Sequence, residues 1–141
     1  MRKLIEFTVI AVYLLIGSDL IAQPSEYASD KDHLVVVWTS GDPYVAEKMV
    51  FMYTHAAQTA GWFSKVTLII WGPSAKLTAE NMMTQEKLKA MQADGVIIEA
   101  CIACARSYNV DDELENLGFD VKGMGKPLTD YLKSGARVMT F

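Results

Sequence analysis

Three short apolar runs separated by helix-type segments constrain this chain more than any other feature: HLVVVWT at 33–39, VTLIIW at 66–71 and VIIEA at 96–100. The first two are β-branched and apolar without alternation, the pattern of strands buried on both faces. Between them, Ser40-Gly41-Asp42-Pro43 starts a helix, with Asp42 as N-cap and Pro43 in the first helical position. That helix is expected to reach residue 60 or so, to bury Val45, Met49, Met52 and Ala56, and to stop at Gly61. Gly72-Pro73-Ser74 breaks the second strand, and a second helix is expected over 78–93, with Leu88 and Met91 inward and Gly95 at its end. A short helix over 101–108 ends at Asn109, a residue type that tolerates left-handed backbone. A small acidic helix at 111–117, a weak strand at 119–124, a helix at 127–133 and a strand at 136–141 complete the pattern. Strands alternating with helices predict an α/β domain with a five-stranded, mainly parallel sheet covered on both faces. Ligands of such sheets gather at the carboxyl ends of the strands. Here that brings together the loops at 39–43, 72–75, 101–104 and 125–127.

The N-terminal segment is of another kind. Met1-Arg2-Lys3 is basic, residues 7–17 are apolar, and Ala22 is a small residue suited to cleavage, although Leu20 is not the small residue preferred two positions earlier. The expectation is an export signal over 1–22, a polar linker over 23–32 and one domain over 33–141. The expected location is the periplasm, with an uncleaved N-terminal membrane anchor as the alternative. The apolar run is too short for a confident membrane span, so none is expected after cleavage. A chain of 141 residues that is 51% hydrophobic suits one compact domain. Its net charge of −4, without a basic stripe, argues against nucleic acid as a partner.

The two cysteines, Cys101 and Cys104, stand where the third apolar run gives way to a helix. A thiol there is expected to sit near first-turn N–H groups, which favour thiolate. Four uses compete. Cys101 can accept a sulfane sulfur as a persulfide, with Cys104 optional. The pair can exchange dithiol for disulfide, one attacking and the other resolving. It can ligate metal, the weakest reading, because only His33 and His55 remain to supplement two ligands. Or it can do no more than pack, as reduced thiols or as a small disulfide in an oxidising compartment. Redox pairs of this spacing usually follow the first strand of their domain rather than the third, which counts against a thioredoxin-type reading. No metal site and no cofactor are expected, since neither G-x-x-x-x-G-K-[ST] nor G-x-G-x-x-G occurs.

Other candidates are weighed around this pair. Trp38 and Trp71 end adjacent strands and are expected to wall a pocket near Cys101 or to pack in the core. Lys126 falls at the same sheet end and is a candidate to attract an anionic sulfur species, though a solvated loop lysine is the plainer reading. Arg106 is five residues from Cys101, a poor angular match on a helix. Glu99 lies on the same side of its strand as Cys101 and would disfavour thiolate if close. Met49, Met52, Met82, Met83 and Met91 are expected in the core or at contacts between subunits.

The run Ala100-Cys101-Ile102-Ala103-Cys104-Ala105-Arg106-Ser107-Tyr108-Asn109-Val110, placed after an apolar strand, resembles the DsrE/DsrF-like family, as does the closing stretch at 128–141. The family includes sulfur-relay subunits of tRNA thiolation and of dissimilatory sulfur oxidation. Asn109 stands where the family usually has glycine. The resemblance implies a three-layer α/β/α sandwich, Cys101 as the sulfur acceptor and a homo-oligomer, trimeric or hexameric; some members have a second cysteine where Cys104 stands, and a resolving role is the expectation for it. It leaves the sulfur donor and acceptor open. The competing functions are an extracytoplasmic thiol-disulfide oxidoreductase using Cys101 and Cys104, and a non-catalytic oligomeric binding module.

Overall fold

The computed structural model describes residues 30–141, so the expected export signal and most of the linker lie outside the described residues. Five strands form one sheet: β1 (His33–Trp38), β2 (Lys65–Ile70), β3 (Ile97–Cys101), β4 (Asp120–Lys122) and β5 (Arg137–Thr140). Their order is β4-β3-β2-β1-β5 and every pairing is parallel. All six residues of β1 are buried, as its unbroken apolar run requires. The helical elements are α1 (Pro43–Val45), a π-helical stretch (Ala46–Phe51), α2 (Met52–Thr59), α3 (Pro73–Glu80), α4 (Met82–Ala93), α5 (Ile102–Ser107), α6 (Asp111–Asn116) and α7 (Gly125–Ser134).

From β1 to β4 each strand is laid outside the last, so right-handed crossovers put α1 through α6 on one face. After β4 the chain crosses back over the whole sheet to pair β5 with β1, which leaves α7 on the opposite face. The side chains sort accordingly. Leu34, Val36, Trp38, Leu68, Ile70 and Ile98 pack under the larger helical layer with Phe51, Leu88, Met91 and Leu114. Val35, Val37, Ile69, Cys101 and Met124 form a second, smaller core with Trp71, Leu128 and Tyr131. This is the three-layer α/β/α sandwich that the sequence implies, with one layer reduced to a single helix.

Several boundaries differ from expectation, each for a local reason. The first helix is not uniform, and its buried stripe is Ala46, Val50, Phe51, Thr54 and Ala57. Met49 and Met52, expected inward, are 51% and 64% exposed. Two stripes one residue apart are equally apolar in this segment, so periodicity could not separate them. The helix expected from 78 begins instead at Pro73, ends at Glu80 and restarts at Met82. Asn81, in extended backbone, causes the restart: its side chain accepts the Thr84 N–H at 2.9 Å and caps α4. Asp42 acts as expected, accepting from Tyr44 N–H at 2.7 Å ahead of Pro43. Asn109 is left-handed at φ 57. The loop expected at 125–127 is the start of α7.

The turn from β2 into α3 fixes the carboxyl end of the sheet. Ser74 Oγ accepts the Trp71 N–H at 3.0 Å and donates to the Trp38 carbonyl at 2.6 Å, tying the ends of β1 and β2 together. The reversal before it falls on Gly72, at φ 72 and ψ −138, a region side-chain-bearing residues avoid. Gly72→Ala is therefore expected to destabilise the fold by about 1–3 kcal/mol, read as a lower urea midpoint; an unchanged midpoint would contradict this role.

Candidate functional site

Alternation along β3 turns Glu99 and Cys101 to the α7 face. Cys101 is the last strand residue and only 4% exposed, set among Val35, Val37, Ile69 and Met124. Cys104 stands one turn into α5, half-buried, against the same cluster. Both are free thiols, packed in the same cluster and near enough for Cys101 to act on the titration of Cys104. Burial pushes the Cys104 thiol up from its ordinary value and the bond to Cys101 adds to this, while a hydrogen bond to the Gly72 backbone opposes it. Cys104 thus keeps its proton at neutral pH. It is the better exposed of the two, whereas Cys101 lies beneath.

Glu99, 4% exposed, cannot be buried as an anion without partners. Lys122 Nζ donates to its Oε1 at 2.7 Å and also to Asp120, and Tyr131 Oη donates to the same Oε1 at 3.0 Å. Glu99 Oε2 is buried with no hydrogen-bond partner. The strand register explains the cluster. Glu99 pairs with Asp120, a like-charge pair unfavourable by itself, and Cys101 pairs with Lys122. Lys122 therefore lies beside Cys101 and bridges both carboxylates. Burial alone would lower its pKa, but the bonds and attraction of Asp120 and Glu99 outweigh that and hold it above the ordinary lysine value.

The polar network continues under α7. His33, fully buried, bonds through Nδ1 to Asp30 at 2.7 Å and through Nε2 to Thr67 Oγ1 at 2.8 Å, and packs edge-on against the Tyr131 ring. Thr67 also acts on the Tyr131 hydroxyl, opposing the rise of its pKa. Five chain segments thus meet in one buried polar seam that ends next to Cys101.

The other candidates fall elsewhere. Of the two expectations for Trp38, core packing holds and the pocket wall near Cys101 does not: it is fully buried on the opposite face against Phe51, because even-numbered β1 residues turn to the larger core. Trp71 packs against the Cys101 cluster. Lys126 is exposed on α7 and pairs with Asp130 at 2.6 Å. Arg106 points to solvent and meets Asp111. His55 bonds Asp94 at 2.6 Å on the surface. A groove of about 630 Å³ runs between the π-helical stretch and α4, lined by Phe51, Met52, Asn81, Met83 and Lys87, and shares no residue with the thiol cluster. Lys122, Tyr131 and Thr67 were not singled out from sequence; their link to Cys101 comes from register and from the crossing of α7, which spacing does not encode.

Burial first, then the charge and hydrogen bond of Glu99, push the Tyr131 hydroxyl up to about 12 from an ordinary value of 10.0. A group whose folded value is raised contributes stability that is whole below the unfolded value and is lost as pH rises through the folded one. Stability is expected to fall between pH 10 and about 12, and Tyr131→Phe to make that fall shallower in urea titrations at stepped pH. An identical alkaline slope in the variant would contradict this.

No curated protein matches the chain. Among solved structures, it is similar to the conserved protein of unknown function BT1422 from Bacteroides thetaiotaomicron, with a TM-score of 0.75 and 34% identity over 78% of this chain and 95% of that one. The profile of the DsrE/DsrF-like family matches residues 32–141, the whole sheet with all its helices. On that match, and with the same fold in a structural neighbour, this chain belongs to the DsrE/DsrF-like family, a family of sulfur-relay type.

Proposed function

We propose that this protein carries sulfur as a persulfide on Cys101. The observation that carries the reading is the contacting thiol pair at the carboxyl end of β3, in a family of sulfur-relay type. In the proposed cycle the Cys101 thiolate attacks the outer sulfur of a donor persulfide. The donor's S–S bond breaks, the donor leaves as a thiolate, and Cys101 holds the sulfur. An acceptor nucleophile then attacks that outer sulfur and restores the Cys101 thiolate. Alternatively Cys104, once deprotonated, attacks Cys101 Sγ, expels hydrosulfide and leaves a disulfide that an external thiol must reduce.

A second reading, extracytoplasmic disulfide exchange, draws on the same thiol contact. A Cys101–Cys104 reduction potential in the range of exchange proteins, rather than below about −300 mV, would favour it. Export of the mature domain and assembly into a homo-oligomer are parts of the proposal. Assembly is supported by large apolar side chains left at the surface, among them Met82 at 72% and Met83 at 76% exposed, together with Leu132 on α7. No helix among the described residues is long and apolar enough to cross a membrane.

The test is the intact mass of the reduced protein before and after inorganic polysulfide. The expected result is a gain of one sulfur atom in the wild type and in Cys104→Ser, absent in Cys101→Ser. No gain in the wild type, or an equal gain in Cys101→Ser, would refute the assignment. The starting residue seen in the same spectrum of exported protein tests the signal.

A further inference from the structure

We propose that Lys122 is the counter-cation of the Cys101 sulfur anion, and that Glu99 competes with the sulfur for it. The inference rests on the reading of Cys101 as the reacting sulfur. Three observations meet here. Cys101 and Lys122 are register partners on adjacent parallel strands, which stand about 4.8 Å apart. The Lys122 ammonium is drawn to Glu99, two residues before Cys101 on the same face, about 6.6 Å along the strand. Glu99 is buried with one oxygen unpartnered, so its charge depends on Lys122 and on the Tyr131 hydroxyl.

A buried thiol that loses its proton leaves a negative charge where water cannot solvate it. Around Cys101 the charged and titratable groups are few. β3 supplies Glu99, β4 supplies Lys122 and the more exposed Asp120, α5 supplies Cys104, and α7 supplies Tyr131, with the Lys126–Asp130 pair further out on its surface. His33 and Thr67 lie behind Tyr131. Lys122 is the one cation of this set whose backbone is the register partner of Cys101. Two of its three donors are engaged by carboxylates, which hold it in place and also dilute its field. The cluster is therefore a balance: the cation favours sulfur anion, whether thiolate or persulfide, and Glu99 opposes it. Sulfur loading moves no proton onto Lys122; it adds a second anion to a lysine already shared.

This arrangement gives opposite signs to two substitutions. In a Cys104→Ser background, the rate of Cys101 alkylation by iodoacetamide is followed from pH 6 to pH 10, with thermal midpoints as a check on folding. Lys122→Met is expected to slow alkylation at pH 7 about tenfold and move the profile up by about one pH unit. Glu99→Gln, which keeps the shape and the Tyr131 bond, is expected to speed it and move the profile down. Lys122→Arg keeps the charge and stays near the parent. If Lys122→Met fails to fold because Glu99 is left unpaired, the double variant Lys122→Met/Glu99→Gln removes both charges and is expected to lie between the two single effects. Single variants that move the profile in the same direction, or not at all, overturn the inference. Because alkylation reads the thiol and not sulfur uptake, this failure and a failure of the carrier reading are separable: shifted profiles without polysulfide uptake would leave the charge balance standing and sink the carrier.

Discussion

A carboxylate inside a protein must be paired, and Glu99 is the point around which the smaller face of this sheet is organised. Its need for a cation draws Lys122 from the edge strand β4, and its need for a donor draws Tyr131 from α7. Tyr131 in turn reaches Thr67 and stacks on His33, whose other nitrogen holds Asp30. One buried charge thus fixes the position of a short three-residue edge strand and of a helix that buries no residue fully. An apolar residue at 99 would remove the cost of burial, and with it the reason for this arrangement. The seam ends beside a thiol, which links the structural constraint to chemistry.

Chain topology decides where that thiol can work. In open parallel sheets the crevice lies where the strand order reverses, here between β1 and β5. There the strand pairing runs on past β5: Thr39 N–H and Oγ1 both donate to the Phe141 carbonyl at 2.7 Å, and Phe141 N–H donates to the Val37 carbonyl at 2.9 Å. The two thiols sit two strands away, at the end of β3, where α5 begins and α7 passes over. The α5 residues divide between the two cores, Ala105 toward the larger and Cys104 toward the smaller, and this brings the second thiol onto the first. The groove on the helical face is large, but the thiols are not part of it.

Much of the fold was legible in the sequence because its signals are local. The apolar runs at β1, β2 and β3, the Asp42-Pro43 helix start and the left-handed turn at Asn109 are all decided within a few residues. The inward face of the first helix was not, since Met49 and Met52 are as apolar as Val50 and Phe51, and only the sheet beneath chooses between them. The Asn81 restart was missed because the polar residue that breaks one helix is also the cap of the next. The thiol pair was visible as a pair. Its surroundings were not: Lys122 is brought level with Cys101 by strand register and Tyr131 arrives by a crossing over the whole sheet. The two readings of Trp38, core or pocket wall, stayed open for the same kind of reason, as neighbouring strand ends do not tell which face each side chain takes.

The proposed sulfur chemistry at Cys101 would draw together the buried charge, the topology and the thiol pair. The site offers a buried sulfur on β3, a neighbour thiol on α5 and a lysine in register on β4. The most direct measurement is the release of sulfur rather than its uptake: the reduced protein is loaded with polysulfide, freed of excess reagent and treated with cyanide, and the thiocyanate formed is counted. A carrier acting through Cys101 yields about one thiocyanate per chain from the wild type and none from Cys101→Ser. Thiocyanate absent from the wild type, or equal from both proteins, would contradict it.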